Sequence, residues 1–280
     1  MRNRGIFAAS TGLALEGTLQ NSRQFRVADA LALLFAAANL MIFEWLHHAE
    51  FPVNGGRFLT ALGITAGFAV LAWFVGGVNL SGALAGSAVA FLMAIRDLRM
   101  FLALLVVFAV TLLATRVGYA RKQQLRTAEP VGGRTASQAM ANLGIAALIV
   151  AIAPQTWPVL SLAALAEAAA DTGSSEIGMA FPGKTFLITT FQVVPAGMDG
   201  GISLFGTLAA CAGAAAVAAA ALLSNLITLP QAGTIVVAGF VGTLVDSLLG
   251  ALFERRGWLN NDLVNFFSTA AAAALAWTLI

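Results

Sequence analysis

Residues 100–115 read MFLALLVVFAVTLLAT and contain no charged side chain. A helix that crosses a bilayer needs about 20 mostly apolar residues, and comparable runs recur through the chain. Nine such stretches can be marked, at 28–47, 58–76, 78–95, 100–115, 138–154, 158–176, 203–228, 233–253 and 263–280. The sixth is the least apolar, which fits a broken or a partly buried helix. The pattern predicts an all-α fold, a polytopic transmembrane helical bundle of about nine spans, with eight spans as the alternative.

The composition also separates this chain from soluble proteins. Of its 280 residues 59% are hydrophobic and 10% are charged, and the mean hydropathy is +0.87, whereas roughly a quarter of a soluble domain is charged. The net charge is only +2, so the lysines and arginines indicate membrane topology and not a nucleic-acid partner. The single cysteine, Cys211, excludes a disulfide within one chain.

The distribution of positive charge predicts the orientation in the membrane, because cytoplasmic loops carry an excess of Lys and Arg. Placing the N-terminus in the cytoplasm puts 12 of the 15 Lys and Arg residues on that side. We therefore expect residues 1–27 to form a cytoplasmic or interfacial segment. Residues 28–280 are expected to form a single transmembrane domain, with a motif-bearing half at 137–280.

The acidic residues are concentrated late in the chain, since seven of the 13 lie after position 166. Glu167 and Asp171 are four residues apart and share one helix face, and Asp246 lies well inside the eighth stretch. Ionisable residues within a span are costly and usually face a bundle interior or water. Each carboxylate alone is consistent with a charge that is paired or that reaches the membrane surface. So many carboxylates near the predicted cytoplasmic ends of the spans, however, favour a functional pocket on the cytoplasmic side.

Two polar loops accompany these carboxylates. Residues 181–206 contain Asp199-Gly200-Gly201 before the seventh stretch, and residues 254–267 contain Arg255-Arg256 followed by Asn260-Asn261-Asp262. Each loop alone also fits an ordinary turn with a helix cap. Together they add glycine backbone, cations and amides to the carboxylates, a set that suits a Mg²⁺–nucleotide complex and a lipid phosphate. The sequence has no catalytic triad, P-loop or dinucleotide-binding glycine motif.

Four ordered motifs carry a family resemblance: AAADTGSSEIG (168–178), VPAGMDGGISLFGTLAA (194–210), GFVGTLVDSLLGALFERRG (239–257) and LNNDLVNFFST (259–269). They resemble the domain-of-unknown-function 92 family of integral membrane proteins, over about residues 60–280. That family includes the phytyl-phosphate kinases of vitamin E biosynthesis. The resemblance implies a kinase that adds a second phosphate to an isoprenoid monophosphate, using CTP or another nucleoside triphosphate with Mg²⁺ on the cytoplasmic side.

These arguments give a set of candidate residues. The predicted catalytic residues are Asp171, Glu176, Asp246 and Asp262, and the first three are the predicted Mg²⁺ ligands. The predicted substrate-binding and nucleotide-binding residues are Ser175, Lys184, Asp199, Gly200, Gly201, Arg255, Arg256, Asn261 and Asn265. The prenyl tail is expected between spans rich in small residues, such as 78–95 and 203–228.

Two other functions remain open from the sequence. Carboxylates within spans also mark ion paths, so a transporter or channel is one alternative, although the polar residues cluster on one side of the membrane. Cytidylyl transfer from CTP to a lipid phosphate is the other, because it uses the same ligands.

Overall fold

The computed structural model describes residues 27–46, 55–128, 132–152 and 157–280, and within them the chain forms ten α-helices. They are α1 Val27–Leu46, α2 Gly55–Phe74, α3 Leu80–Arg96, α4 Leu98–Arg116, α5 Tyr119–Leu125, α6 Ala136–Ile152, α7 Trp157–Ala180, α8 Leu204–Leu223, α9 Leu229–Leu252 and α10 Asn261–Leu279. Each of the nine hydrophobic stretches is helical over most of its length. The predicted interfacial segment lies outside the described residues, apart from its last residue.

Six of the described helices are long and apolar enough to cross a membrane: α1, α2, α4, α8, α9 and α10. The apolar helices α3 and α6 have 17 residues each. The 24-residue helix α7 carries three carboxylates, which lower its hydropathy. The protein is thus a polytopic helical membrane protein. The count of nine spans, the cytoplasmic N-terminus and the single transmembrane domain remain predictions.

Helix α7 is the centre of the bundle and packs against α4, α6, α8, α9 and α10. It is continuous and mostly buried, because its alanines meet glycines on its neighbours. A Cβ added to Gly213 of α8 would lie 2.7 Å from the Ala169 carbonyl oxygen, and one on Gly239 of α9 would lie 2.8 Å from the Ala166 Cβ. Small residues let membrane helices approach this closely, so sequence composition explains the central position of α7.

The outer surface of the bundle is apolar, as a lipid-facing surface must be. Leu59, Val70 and Phe74 on α2 are all exposed, and Trp45 and Trp73 are exposed near helix ends. Tryptophan is enriched where a membrane meets water. Charged side chains lie in the interior around α7, as Glu167 does, or near helix ends, as Asp97 and Arg99 do.

A small antiparallel sheet connects α7 to α8 and was not predicted. Its strands are β1 Thr185–Leu187, β2 Val193–Val194 and β3 Gly201–Ser203, in the order β2-β1-β3. Strands of two or three residues are too short to show an alternating pattern. Gly200 has φ +77°, and a Cβ there would lie 2.5 Å from the Ala251 Cβ. The turn before β3 therefore packs tightly against the end of α9.

Candidate functional site

A polar cavity of about 400 Å³ lies at one end of the bundle, where α6, α7, α9, α10 and the turn before β3 meet. Nine of the thirteen candidate residues line it: Asp171, Ser175, Glu176, Asp199, Gly200, Gly201, Asp246, Asn261 and Asn265. They come from four separate segments of the chain, so only the tertiary fold assembles them. Their chemical roles remain predictions.

The centre of the cavity is a pair of carboxyl groups. Asp171 on α7 and Asp246 on α9 lie within hydrogen-bonding distance of each other. Two carboxylates this close repel unless a proton or a cation lies between them. Glu254, two helical turns after Asp246, also lines the cavity, and its charge interacts with those of Asp171 and Asp199. The sequence analysis did not select Glu254, although its spacing from Asp246 places both on one face.

The acidic cluster continues into the bundle beyond the cavity. Glu167, one turn before Asp171, is 1% exposed, and its Oε1 has no hydrogen-bond partner among the described residues. Ser268 on α10 lies close to the carboxyl groups of both Glu167 and Asp246, and its hydroxyl donates to the Asn265 carbonyl at 3.0 Å. Helix α10 therefore connects the inner carboxyl to the cavity pair.

A row of amides supports Asp246 from the side. In the amide orientation that satisfies its neighbours, Asn265 donates to Asp246 Oδ2 at 3.3 Å and to the Asn261 carbonyl at 3.2 Å. The Asn265 side-chain oxygen accepts from Asn142 Nδ2 at 3.2 Å, and Asn142 also donates to the Gln138 carbonyl at 2.9 Å. These contacts fix the position of the Asp246 carboxyl relative to α6 and α10. The sequence analysis missed Gln138 and Asn142, whose four-residue spacing in an apolar stretch was the available signal.

Glu176 has a dedicated partner that the sequence did not reveal. Lys122 Nζ donates to Glu176 Oε2 at 2.5 Å, to the Ala114 carbonyl at 2.9 Å and to the Thr115 carbonyl at 2.6 Å. The Lys122 side chain is fully buried, so its three protons all have acceptors. One oxygen of Glu176 is therefore engaged in an ion pair that joins α5 to α7.

The carboxylates do not form a complete metal site by themselves. Within the described ranges, no group of three or more His, Cys, Asp or Glu side chains is arranged to hold a metal ion. Mg²⁺, however, is commonly held by one or two carboxylates with the remaining ligands from substrate phosphates and water. The pair Asp171 and Asp246 fits that requirement.

Four candidate residues do not line the cavity. Lys184, Arg255 and Arg256 are exposed, and the Arg256 guanidinium lies 5.6 Å from the Trp258 ring centroid. Asp262 accepts a hydrogen bond from Ser137 Oγ and so joins the start of α10 to the start of α6. The structure gives Asp262 a contact between helices and places the three cations on the surface near the cavity segments.

Arg134 is the most informative residue that the sequence analysis passed over. It lies just before α6, lines the polar cavity, and its positive charge acts on Asp171. Its backbone is fixed, because its N–H donates to the Gly77 carbonyl at 3.1 Å and its carbonyl accepts from Asn79 N–H at 3.0 Å. The sequence analysis counted this arginine only among the Lys and Arg residues that indicate topology.

Comparisons with known proteins agree with this architecture. The profile of the family described as "Integral membrane protein DUF92" matches residues 63–273. "Uncharacterized membrane protein MJ0933" of Methanocaldococcus jannaschii is 40% identical over 170 residues, which cover 59% of this chain and 70% of that protein. "Uncharacterized membrane protein sll0875" of Synechocystis sp. is 35% identical over 190 residues, 64% of this chain and 72% of that protein.

A plant relative extends the comparison. "Protein VTE6, chloroplastic" of Arabidopsis thaliana is 30% identical over 189 residues, which cover 63% of this chain and 57% of that protein. No solved structure matches the chain significantly. The matched region begins in α2 and ends in α10, so it includes every segment that lines the polar cavity. The chain belongs to the DUF92 family of integral membrane proteins.

Proposed function

We propose that this protein is a membrane kinase that transfers the γ-phosphate of a nucleoside triphosphate, with CTP favoured, to an isoprenoid monophosphate such as phytyl or prenyl phosphate. The observation that carries the proposal is the pair Asp171 and Asp246 in a polar cavity within a membrane bundle. The family resemblance supports the same reaction class. The product is the isoprenoid diphosphate, and the second product is the nucleoside diphosphate.

The reaction needs positioning and charge neutralisation more than a strong base. An oxygen of the acceptor phosphate attacks the γ-phosphorus, a new P–O–P bond forms, and the bond from the γ-phosphorus to the β,γ-bridging oxygen breaks. The bridging oxygen leaves with the nucleoside diphosphate. A phosphate monoester is already largely dianionic near neutral pH, so no residue has to remove a proton from it.

Asp171 and Asp246 are proposed to bind Mg²⁺ through their carboxylate oxygens, which are the hard ligands that this ion prefers. Bound there, Mg²⁺ would neutralise phosphate charge. Asn265 keeps the Asp246 carboxyl in place. Glu176 is not included in the proposed ligand set, because Lys122 already engages its carboxylate.

The triphosphate is proposed to lie along the turn 197–201 and the hydroxyl-bearing wall of the cavity. Gly197, Gly200 and Gly201 are part of this wall, and so are Ser175 and Ser203. Within this turn the Gly201 N–H already donates to the Met198 carbonyl at 2.8 Å. The N–H groups of Gly197 and Gly200, together with the hydroxyls, are therefore the proposed donors to phosphate oxygens. Donor groups of this kind offset the negative charge that the carboxylates add to the same cavity.

The test is a labelling experiment with purified protein in lipid nanodiscs, Mg²⁺, a panel of prenyl phosphates, and CTP, ATP, GTP and UTP. Label at the γ-phosphate should appear in a lipid diphosphate, whereas label at the α-phosphate should remain in the soluble nucleotide. Transfer of the α-label with release of pyrophosphate would instead identify a cytidylyltransferase. Uptake of ions or solutes into proteoliposomes without nucleotide turnover would identify a transporter, and either result would overturn the proposal.

A further inference from the structure

A second cavity, of about 100 Å³, lies deeper in the bundle and is almost entirely apolar. Its walls come from α2, α3, α4, α6 and α7, and typical lining residues are Phe68, Leu104, Val107 and Phe108. Helix α3 contributes small residues, as expected for a tail-binding span, whereas α8 does not line this cavity. Of the two spans named for the tail, 78–95 contributes to this cavity and 203–228 does not, and the tail site itself stays a prediction.

The apolar cavity and the polar cavity share part of their walls. Arg134, Gln138, Asn142 and Thr172 line both. A ligand that extends from one cavity into the other would meet carbon at one end, a band of polar side chains in the middle, and the Asp171–Asp246 pair at the other end. An amphipathic molecule with a phosphate head and a hydrocarbon tail has this distribution of polarity.

Arg134 lies where the two cavities meet, and its positive charge complements a phosphate head group. The acidic pair alone would repel a phosphate, and an arginine guanidinium binds phosphate oxygens through paired charge-assisted hydrogen bonds. The backbone around Arg134 has little room to move, because a Cβ added to Gly82 of α3 would lie 2.1 Å from the Arg134 carbonyl oxygen. The guanidinium is thus carried by a segment held firmly between the two cavities.

Gly86 controls the free space in the apolar cavity. It lines the cavity from α3, and a Cβ added there would meet no atom within 4 Å. Gly77 and Gly82 line the same cavity, but a Cβ at either would lie within 3 Å of a neighbour, Phe108 or Arg134 respectively. A larger side chain at position 86 would therefore occupy the cavity without disturbing the helix packing.

We infer that the apolar cavity binds the part of the isoprenoid tail next to the phosphate, that Arg134 binds the phosphate at the junction, and that Gly86 keeps the cavity open for that part of the tail. This inference rests on the proposed function for the identity of the acceptor. It adds the place where the acceptor lies. The apolar cavity of about 100 Å³ is smaller than the ~150 Å³ cavity that takes up benzene, so it holds about one isoprene unit. That unit packs against Phe68 and Phe108, and the phosphate reaches the cavity that contains Asp171 and Asp246.

The experiment measures binding without nucleotide, so that its result does not depend on turnover. Binding of phytyl phosphate, phytol and the short-chain dimethylallyl phosphate is measured for the wild type and for Gly86→Leu, Arg134→Gln, Gly63→Leu and Arg121→Gln in nanodiscs. Gly63 is a matched control because it is exposed on α2 and also has no atom within 4 Å of an added Cβ. Arg121 is a matched control because it lines neither cavity and donates to the Met179 carbonyl.

Gly86→Leu should weaken the binding of both phytyl phosphate and dimethylallyl phosphate by about tenfold or more, because the leucine side chain occupies the space of the first isoprene unit, whose carbon atoms lose their buried site. Arg134→Gln should weaken phytyl phosphate binding by about tenfold to hundredfold and leave phytol binding unchanged. Equal effects of Gly86→Leu and Gly63→Leu, or an unchanged preference for phosphate over alcohol in Arg134→Gln, would overturn the inference.

The two proposals fail in different ways. If the protein binds phytyl phosphate as described but transfers no γ-label, the kinase proposal fails and the binding site stands. If the wild type transfers γ-label and neither variant changes acceptor binding, the kinase proposal stands and the binding site is wrong. Size-exclusion profiles of each variant in detergent identify any that fail to fold, and Gly86→Ala, a smaller change at the same position, then replaces a misfolded Gly86→Leu.

Discussion

Replacing Lys122 with methionine should destabilise the protein by about 3–5 kcal/mol, the range for removing one partner of a buried ion pair. The Lys122 side chain is fully buried, and that of Glu176 is 5% exposed. In the variant Glu176 loses a 2.5 Å charge-assisted hydrogen bond, and the Ala114 and Thr115 carbonyls lose their shared donor. Methionine keeps most of the side-chain volume, so a cavity contributes little to the expected loss.

The assay is the free energy of unfolding measured by SDS titration in mixed micelles, with Lys184→Met as the matched control. Lys184 is exposed, and its replacement should change the free energy of unfolding by less than about 0.5 kcal/mol. The double variant Lys122→Met/Glu176→Gln should recover at least half of the loss, because it no longer contains a buried carboxylate without a cation.

Two results would refute this reasoning. If Lys122→Met lowers the free energy of unfolding by less than about 1 kcal/mol, the Lys122–Glu176 pair contributes no more than an exposed ion pair would. The absence of any recovery in the double variant would show that lysine acts independently of Glu176. If the double variant folds and transfers label at a rate near that of the wild type, Glu176 is a structural residue. If the double variant folds but is inactive, Glu176 has a catalytic role.

Three further predictions concern the packing and the polar network. In the same SDS titration, Gly213→Ala should lower the free energy of unfolding by about 1–3 kcal/mol, because the new Cβ would lie 2.7 Å from the Ala169 carbonyl oxygen. The control Gly233→Ala should leave the free energy of unfolding unchanged, because its new Cβ would meet no atom within 4 Å. Asn265→Ala should reduce kcat/KM by about tenfold to hundredfold through loss of support for Asp246, and an unchanged steady-state rate would remove the amide row from the mechanism. Ser137→Ala should lower the free energy of unfolding by about 1 kcal/mol. Its initial rate of label transfer should stay within about threefold of wild type, because the hydrogen-bond partner of Ser137, Asp262, does not line the cavity. A large loss of rate would indicate that Asp262 acts in the site.

The helical elements could be predicted from the sequence because each apolar run is long and bounded by polar residues. Residues 100–115, for example, lie within α4. The central position of α7 was less visible, because its carboxylates reduce the hydropathy that marks a span. The sheet escaped detection because β2 has only two residues, and its pairing partners are defined by the fold and not by a local pattern.

The acidic part of the site could also be predicted, since Asp171 and Asp246 are conspicuous within apolar helices. The basic part could not. Lys122 and Arg134 lie in a charged stretch of sequence between two apolar runs, where every charge resembles a topology signal. Only the packing shows that the Lys122 side chain is buried and that Arg134 lines two cavities. Arg255 and Arg256 show the converse. They directly follow the cavity-lining Glu254 in sequence, yet both are exposed and do not line the cavity.

The most direct test of the central claim compares initial rates of γ-label transfer to a prenyl phosphate by wild-type protein, Asp171→Asn, Asp246→Asn and Asp97→Asn. Asp97 is the matched control, because it caps α4 and pairs with Arg99 away from the polar cavity. We expect each cavity variant to lose at least about a hundredfold in rate while Asp97→Asn stays close to wild type. Full activity in both cavity variants, each folded and monodisperse, would contradict the assignment of phosphoryl transfer to this cavity.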